Sequence, residues 1–592
     1  MFRVIVTSFI VPIFVDSIAS GRFTVLPRKK RTYLYNVVAV MLLYTLLNIF
    51  FWQYQINFLI LITLYFIIAI AMYYVHEFRG TNINMSDILS INTAKEVASG
   101  YKYEVTPTML VSFIIIVLEY IVQIFYYKID LLENYNKGIN GFYTANIGKY
   151  NVFLYEIKEI LIFIFLFFLL RDIVSKNKYD YSIMAGNNEG YLYNFYSSIP
   201  FFHKNNKENK LYDDNLSIDI TKDDLASLKN KVSFNKLDTK NAQSIDKFIS
   251  EAKKPHVIVI MNESFGSVNR RIKTNVKVTD YYDNLKGVIK GDLYVNTFGG
   301  GTANTEFEFL TGVSIGNYPY PVMPYNNFVK KDKYSLAHYF KKLGYKTFAM
   351  HPYTATNYNR DKVYKRFGFD KLLFFDDFQN KKYVRSFVSD ASMYEEIIRR
   401  YESVKNNNET AFIFGITMQN HSGYSKFDGQ EVVSYIDNIN AYEKESLDSY
   451  LSLMKISDDS IRLLINYFEK EKDNVVLLFF GDHNASFGSS INSLVYDTNF
   501  NYECSNAYIT PFFIYNNFEK NNRAIEGISA NFLSLELLKS AHLPFDDVHI
   551  LMDSIYKEYS VYNFHKRKKV NDGELCDINF DRLMEFEEEY LK

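Results

Sequence analysis

The stretch His256–Phe265 reads HVIVIMNESF, in which a run of apolar, largely β-branched residues is followed by Asn262, Glu263 and Ser264. A run that is apolar on both faces is typical of a central strand covered by helices on both sides. In open α/β sheets, ligands bind beyond the carboxyl ends of the strands. The polar residues that follow this run are therefore candidates for a functional site.

Four further runs are similarly apolar, and amphipathic helical stretches lie between them. The predicted strands are Lys346–Met350, Thr410–Thr417, Asn474–Phe480 and Tyr508–Tyr515. The predicted helices are Ser335–Leu343, Ala391–Lys405 and Asp458–Lys470. This alternation predicts an α/β domain with a mostly parallel central sheet.

Carboxylates and imidazoles recur directly after these strands. His351 follows the second run, His421 the third, and Asp482 with His483 the fourth, as Glu263 follows the first. A mixture of oxygen and nitrogen ligands suits a divalent ion such as Mn²⁺ or Zn²⁺, whereas Ca²⁺ prefers more oxygens and no imidazole. The strand ends therefore predict a metal site.

The segment Phe298–Gly312 reads FGGGTANTEFEFLTG and places Thr302 after three glycines, at a predicted helix start. Glycines let the backbone approach a ligand closely, and the free N–H groups of a helix start favour an anionic phosphate. A hydroxyl at this place can be ionised by a metal and attack phosphorus. An ordinary glycine loop with a threonine cap is the alternative interpretation.

The N-terminal part contains most of the long apolar runs. Tyr33–Trp52 and Ile56–Tyr74 carry no charged side chain and are long enough to cross a bilayer as helices. Pro107–Tyr126 and Phe153–Leu170 are further predicted spans. Phe2–Ile18, which contains Pro12, favours an irregular first span over a signal sequence or an in-plane helix. We expect an α-helical membrane domain of about five spans.

Composition divides the chain into three predicted parts. Residues 1–174 form a transmembrane anchor, 175–250 a polar linker or membrane-surface segment, and 251–592 a catalytic domain. Lys and Arg (66) nearly balance Asp and Glu (67), so no nucleic-acid partner is expected. Cys504 and Cys576 are the only cysteines, which excludes a cysteine zinc site and leaves one disulfide or two free thiols open.

Five stretches in this order carry a resemblance to a known family. They are HVIVIMNESF, GGGTANTEFEFLTG, MHPYTATNYNRDKVYKRFGFD, ITMQNHSGY and FFGDHN. Behind several apolar segments, this set resembles the lipoteichoic acid synthase family, the phosphoglycerol transferase branch of the sulfatase and alkaline-phosphatase superfamily. The resemblance implies a sulfatase-like domain on the extracellular side of a multi-pass anchor in the cell membrane.

The resemblance also implies roles for individual residues. The implied metal ligands are Glu263, Thr302, Asp482 and His483, with Mn²⁺ as the usual ion and Zn²⁺ or Mg²⁺ as alternatives. Thr302 is implied as the nucleophile, Arg360 as the phosphate-binding residue, and His351, Tyr358 and His421 as residues of the substrate pocket. His421 is also assigned here as the proton donor to the leaving oxygen.

The expected reaction moves glycerol phosphate from phosphatidylglycerol to an envelope glycolipid or polymer through phosphorylated Thr302. A phosphoethanolamine transferase and a non-catalytic, membrane-bound binder of anionic polymer are the alternatives. Tyr353 stands where some family members carry an acidic residue that contacts glycerol. A sulfatase is disfavoured because neither C-x-P-x-R nor S-x-P-x-R occurs. A two-metal phosphatase is disfavoured because the ten histidines leave few spare ligands.

The charge pattern conflicts with the implied orientation. Arg28–Arg31 would lie in the cytoplasm by the positive-inside rule, and four later spans would return the chain to that side. The resemblance implies an extracellular catalytic domain. We favour the extracellular location, because the charge rule is statistical and an irregular first span changes the count.

Overall fold

The computed structural model describes residues 2–23, 30–50, 54–79, 82–85, 87, 103, 105–138, 158, 160–168, 191–196, 198, 254–317, 323–487, 489–496, 506–562 and 567–569. The chain forms two compact units, one from residues 1–88 with 103–203 and one from residues 89–102 with 204–592. Cys504, Cys576 and most of the predicted linker lie outside the described residues. The predicted domain boundaries stay predictions.

The described part of the first unit is helical. Its long helices are α1 (Phe2–Ala19), α2 (Lys30–Phe50), α3 (Tyr54–Arg79) and α4 (Pro107–Gly138). Three segments, Tyr33–Phe50, Ile56–Glu77 and Pro107–Phe125, are long and apolar enough to cross a membrane. The apolar part of α1, Ser8–Ala19, is shorter than these three. The described residues therefore contain three such helices, where about five were expected. Of the predicted span Phe153–Leu170, only residues 158 and 160–168 are described.

The second unit contains an eight-stranded sheet with the order β12-β3-β11-β10-β1-β8-β4-β5. Its strands are β1 (His256–Asn262), β3 (Val288–Tyr294), β4 (Lys346–Met350), β5 (Lys371–Leu373), β8 (Ala411–Ile416), β10 (Val475–Gly481), β11 (Ile509–Asn516) and β12 (Arg523–Ser529). Two-stranded ladders are formed by β2 (Lys273–Thr274) with β9 (Ser434–Tyr435), β6 (Tyr383–Val384) with β7 (Phe387–Val388), and β13 (Tyr559–Tyr562) with β14 (Arg567–Lys569).

The sheet is mostly parallel, as the alternation of elements predicts. The pairs from β10 through β5 are parallel, and β11 is antiparallel to both of its neighbours. The predicted strand Tyr508–Tyr515 corresponds to β11 and is one of the antiparallel members of this mostly parallel sheet. The sequence analysis also missed β3, β5 and β12. Lys290 and Asp292 interrupt the apolar pattern of β3, and Arg523 opens the largely solvent-exposed first half of β12.

Helices cover both faces of the sheet. In this unit they are α5 (Asp280–Asn284), α6 (Thr302–Thr311), α7 (Pro324–Asn327), α8 (Leu336–Lys342), α9 (Arg360–Arg366), α10 (Asp390–Lys405), α11 (Ala441–Phe468), α12 (Ser489–Val495), α13 (Leu533–Ser540) and α14 (Asp547–Glu558). The α11 helix begins well before the predicted start at Asp458. Asn440 and Glu443 start it with a capping box, whose side chains satisfy two N–H groups that the helix leaves free.

Two apolar cores result, one on each face of the sheet. One contains Phe307, Phe412 and Phe480, and the other contains Ile258, Tyr450 and Phe479. Because neighbouring side chains of a strand point to opposite faces, the alternate residues of β10 fill both cores. The central strands β4, β8, β1 and β10 are parallel neighbours, so their carboxyl ends meet at one edge. The residues that follow them are brought together there.

Candidate functional site

Three of the predicted metal ligands converge at this edge. One ligand atom each of Glu263, Asp482 and His483 lies within 4.8 Å of the others, and all three side chains are buried. Glu263 follows β1 and Asp482 follows β10, and these two strands are paired in parallel to Asn262 and Gly481. The strand register therefore places the two carboxylates side by side.

The donor atoms of this cluster fit a divalent cation. His483 Nδ1 lies 3.1 Å from the carbonyl oxygen of Asn484, which can only accept, so Nδ1 carries the proton and Nε2 presents its lone pair. Nε2 lies 3.1 Å from Asp482 Oδ2 and 3.5 Å from Glu263 Oε1. Asp482 Oδ2 and His483 Nε2 are buried without a hydrogen-bond partner in the described part of the chain. A bound cation would satisfy both atoms.

The electrostatics of the cluster also favour a cation. Burial, and after it the negative charge of Glu263, raises the pKa of Asp482 to about 7. Two adjacent buried carboxylates are costly to ionise together unless a positive charge compensates them. A divalent ion supplies that charge, and the same electrostatics disfavour an assignment of the cluster to fold stabilisation alone.

Thr302 lies at the start of α6, next to this cluster. Its Oγ1 donates a 3.3 Å hydrogen bond to Glu263 Oε2, and the side chain is buried. The three preceding glycines all have positive φ, with 68° at Gly299, 151° at Gly300 and 85° at Gly301. A side chain is strongly disfavoured in such conformations, which explains the glycines. The loop thus turns the hydroxyl of Thr302 toward the carboxylates.

Three polar residues that the sequence analysis did not assign fix this arrangement. The N–H of Ser264 donates to Asp482 Oδ1 at 2.7 Å, and its hydroxyl donates to Glu263 Oε1 at 2.9 Å. Thr305 Oγ1 donates to the carbonyl of Asp482 at 2.8 Å. The carbonyl of Asn484 accepts from the N–H of Gly299 at 3.0 Å. The glycine loop and both carboxylates are therefore joined by direct hydrogen bonds.

Arg360 is fully buried and paired with a carboxylate that the sequence analysis missed. Arg360 Nε lies 3.1 Å and 3.2 Å from the two oxygens of Glu306, and Nη2 forms an ion pair with the same carboxylate. Tyr325 and Tyr364 also donate to Glu306 Oε2. Burial opposes the charge of Arg360, but Glu306 raises the pKa of the guanidinium above its ordinary value. Nη1 has no hydrogen-bond partner within the described ranges, so this nitrogen remains for a ligand.

Tyr358 stacks beside this guanidinium, whose Cζ lies 5.0 Å from the ring centroid. Tyr358 and Asn359 both have left-handed φ values, 53° and 56°. Consecutive non-glycine residues in this region are strained, and such strain concentrates at functional sites.

The signal for Glu306 was present in the sequence, because TEFEFLT places two acids in an otherwise apolar helix, and a buried acid needs a partner.

His351 is a neutral hydrogen-bond acceptor toward the site. Its Nδ1 lies 3.2 Å from the carbonyl oxygen of Ile416 and therefore carries the proton, which leaves the lone pair on Nε2. Burial, and after it the charge of Arg360, holds the pKa of His351 well below its usual range. Nε2 is buried and has no hydrogen-bond partner among the residues the structure describes. It can accept a hydrogen bond from a substrate hydroxyl.

His421 lies on the loop that follows β8. Burial lowers the pKa of His421, and the charge of Glu263 acts in the opposite direction. The charge of His421 in turn contributes to the low pKa of His351. The pKa of His351 thus responds to Arg360 and His421, and the pKa of His421 responds to Glu263. Their individual roles remain predictions.

Known proteins similar to this chain share its C-terminal domain. Residues 255–542 match the Sulfatase family model. A putative cyclic β-1,2-glucan modification protein of Rhizobium meliloti is 29% identical over 333 residues, which are 55% of this chain and 51% of that protein. The lipoteichoic acid synthase of Staphylococcus aureus is 28% identical over 247 residues, 39% of this chain and 36% of the synthase. The chain thus spans about half or less of the length of these relatives.

A solved structure shares the fold. The phosphoglycerol transferase GacH of Streptococcus pyogenes, in complex with sn-glycerol-1-phosphate, superimposes with a TM-score of 0.51 at 24% identity. The match covers 63% of this chain and 91% of GacH. The resemblance found in the five sequence motifs is confirmed, because residues 255–542 match the Sulfatase family model and a lipoteichoic acid synthase is among the similar proteins.

Proposed function

We propose that this chain is a membrane-anchored phosphoglycerol transferase with Thr302 as its nucleophile. The observation that carries the proposal is the position of the Thr302 hydroxyl, 3.3 Å from Glu263 in the buried cluster of Glu263, Asp482 and His483. A hydroxyl beside a cation-binding cluster and at a helix start suits attack on a phosphate diester.

In the proposed first half-reaction, Thr302 Oγ attacks the phosphorus of phosphatidylglycerol. The new bond joins Oγ to phosphorus, and the bond from phosphorus to the diacylglycerol oxygen breaks. Glu263, which accepts the Thr302 hydrogen bond, takes the hydroxyl proton as the new bond forms and returns it when Thr302 leaves in the second half-reaction. His421 donates a proton to the departing oxygen, and the negative charge of Glu263 favours its protonated form against the effect of burial. The product on the protein is glycerophosphoryl-Thr302.

In the second half-reaction, an acceptor hydroxyl attacks the same phosphorus and Thr302 leaves. His421, now neutral, takes the proton from the attacking hydroxyl, as microscopic reversibility requires. Arg360 Nη1 faces no protein partner in the described residues and is assigned to a phosphate oxygen. His351 Nε2 and Tyr358 are assigned to the rest of the donor head group.

Glu263, Thr302, Asp482 and His483 are the residues that would hold the metal. Superfamily members use divalent metals, and a bound ion supplies Lewis-acid stabilisation of the phosphoryl oxygens and favours the ionised threonine. We assign Mn²⁺, with Zn²⁺ or Mg²⁺ as alternatives. The buried, unpartnered Asp482 Oδ2 and His483 Nε2 support this assignment.

The acceptor is proposed to be a hydroxyl of an envelope glycolipid or glycan polymer. Two relatives, a putative glucan modification protein and a lipoteichoic acid synthase, have names that point to envelope glycans or polymers. The three apolar helices support a membrane anchor, which would hold the site close to a lipid donor. We propose about five spans with the catalytic domain outside, and protease accessibility of that domain in intact cells tests the orientation.

Trapping the covalent intermediate tests the proposed reaction. Full-length protein in detergent is incubated with Mn²⁺ and head-group-labelled phosphatidylglycerol, and peptides are analysed by mass spectrometry. We expect a glycerophosphoryl group on Thr302, none in Thr302→Ala, and normal labelling in Thr311→Ala at the other end of the same helix. Labelling from phosphatidylethanolamine alone would indicate a phosphoethanolamine transferase. Diacylglycerol release by Thr302→Ala at the normal rate would refute the nucleophile.

A further inference from the structure

A short hairpin outside the predicted motifs reaches the loop that carries His421. Its strands are β6 and β7, and Arg385 with Ser386 forms the two-residue turn. Arg385 has φ of 55°, a left-handed conformation that non-glycine residues seldom adopt. Asn, Asp or Gly would fit such a turn with less strain. An arginine at this position therefore calls for a reason beyond turn formation.

The guanidinium of Arg385 binds three main-chain carbonyls of the histidine loop, defined here as residues 419–423. Nη2 donates to the carbonyl of Gln419 at 2.8 Å and to that of His421 at 2.7 Å. Nη1 donates to the carbonyl of Gly423 at 3.0 Å. One planar group thus fixes three points on five consecutive residues, which a lysine ammonium cannot do with the same geometry.

The hairpin also contacts the imidazole of His421, through Phe387 of β7. The ring centroids of Phe387 and His421 lie 5.5 Å apart. Arg385 Cζ lies 5.3 Å from the centroid of Phe387 and 5.8 Å from that of Tyr424. The guanidinium therefore lies near two aromatic rings, and one of them, that of Phe387, packs on His421. Main chain and side chain of His421 are both restrained by this hairpin.

The charge of Arg385 is buried, and its surroundings in the described part of the chain are mostly neutral. Within the described ranges, no carboxylate forms an ion pair with Arg385, and its Nε is buried without a hydrogen-bond partner. Burial lowers the pKa of Arg385 to about 10, although Tyr424 and the charge of Glu263 act in the opposite direction. Removing a cation from water costs free energy. A contact that served only to stabilise the fold would therefore use neutral hydrogen-bond donors more favourably. The negative charge of Glu263 acts on both Arg385 and His421.

We infer that Arg385 is a positioning residue that holds His421 in place for proton transfer to and from the reacting oxygens. Three carbonyl contacts, the Phe387 contact and the strained turn all act on the same loop. The inference rests on the proposed function, because it assigns Arg385 a role through His421. Arg385 itself need not touch the substrate.

The test combines kinetics with hydrogen exchange in the full-length protein. We compare Arg385→Gln, Arg385→Lys, His421→Ala and Arg385→Gln/His421→Ala, with Lys254→Gln as the matched control. Lys254 also donates to a main-chain carbonyl, that of Leu343, but precedes β1 at the opposite end of the sheet. Transfer from phosphatidylglycerol gives kcat and KM, and deuterium uptake reports on the histidine loop.

For Arg385→Gln we expect kcat to fall about 10- to 100-fold, with KM for the donor changing by less than about threefold. In the His421→Ala background, the same substitution should cost less than about twofold, because the residue it positions is absent. Arg385→Lys should recover part of the loss. Deuterium uptake should rise over the histidine loop in Arg385→Gln, and Lys254→Gln should match the wild type in every measurement.

Equal losses from Arg385→Gln with and without His421 would overturn the inference, as would unchanged deuterium uptake in the histidine loop. If Arg385→Gln fails to fold, Arg385→Lys in both backgrounds decides by the same criterion. If the wild type transfers no glycerol phosphate, the proposed function fails. The exchange measurement still decides whether Arg385 orders the loop.

Discussion

The carboxylate of Glu306 holds the guanidinium of Arg360 by Nε and Nη2, and both side chains are almost wholly inaccessible to solvent, at 0% and 1% exposure. The pair joins α6 to the first residue of α9, and its two partners are 54 residues apart in sequence. It therefore links the helix of Thr302 to the residue assigned to phosphate. Its energetic consequences can be measured without any substrate.

Replacement of Glu306 by Gln should destabilise the domain strongly. The change leaves Arg360 as an uncompensated buried charge, which costs about 3 to 5 kcal/mol of unfolding free energy. Chemical denaturation of the wild type, Glu306→Gln and Glu306→Gln/Arg360→Met measures this cost. The double variant should recover much of the loss, because it removes the stranded charge. A single variant as stable as the wild type would contradict the assignment of a strong pair.

Metal removal should destabilise the protein in a way that depends on His483. A ligand present at 100 times its Kd stabilises the folded state by about 2.7 kcal/mol. EDTA should therefore lower the melting temperature, and Mn²⁺ should restore it. His483→Gln should abolish this response. The matched variant His542→Gln should retain it, because His542 is an exposed residue that pairs with Glu519 elsewhere on the domain. A full response in His483→Gln would contradict the proposed site.

Glu308 should make the stability of the protein decrease as pH rises. Burial raises the pKa of this carboxyl from 4.5 to about 7 in the folded state. Because the folded state holds this proton more tightly, the contribution of Glu308 to stability is greatest below pH 4.5 and falls as pH rises toward 7. A shift of this size corresponds to about 3 kcal/mol.

Glu308→Gln should remove that dependence. The amide oxygen can still accept from Asn296 and from the N–H of Ile315, as Oε1 of Glu308 does. The variant should thus gain stability over the wild type between pH 4.5 and 7, by up to about 3 kcal/mol above pH 7. Denaturant titrations at several pH values measure the difference. Glu409→Gln, at an exposed pair with Lys346, should show no such gain, and a pH-independent difference for Glu308→Gln would contradict the expectation.

Gly301→Ala should impair the reaction more than a comparable glycine substitution away from the site. At φ of 85° an alanine is strained, and its Cβ would lie 2.6 Å from Thr297 Oγ1, so the loop must shift and move Thr302. Gly429→Ala provides the control, because Gly429 has φ of 95° but no atom within 4 Å of an added Cβ. Both should lose about 1 to 2 kcal/mol of stability. Only Gly301→Ala should lose at least about tenfold in kcat, and equal activities would contradict the role of the loop.

The sequence was most informative about the strand ends. Apolar runs of strand length located β1, β4, β8 and β10 within a residue or so, because strands buried on both faces need continuous apolar sequence. Parallel neighbours end at the same edge, so the polar residues after each run could be grouped before any contact was known. β3 and β12 were missed because exposed and charged positions interrupt their patterns.

The number of membrane-spanning helices could be predicted less well from the sequence pattern than the strand ends. The predicted charge-free runs Tyr33–Trp52 and Ile56–Tyr74 agree closely with the apolar helical segments Tyr33–Phe50 and Ile56–Glu77, because length and composition are the whole signal. Phe2–Ile18 and Phe153–Leu170 carry prolines or charges, and the described residues do not add them to the three long apolar helices. The count of five spans stays a prediction.

The sequence by itself determined which chemical groups are present at the strand ends: Thr302 after its glycines, and the carboxylates and imidazoles of Glu263, Asp482 and His483. Only the tertiary structure decided which residues from distant parts of the sequence pair with one another around these groups. Glu306 meets Arg360, and Arg385 meets the carbonyls of residues 419–423, across long separations in sequence. The physical reason is that local patterns record burial and backbone conformation, whereas a hydrogen bond between distant segments depends on how the helices and loops pack over the finished sheet.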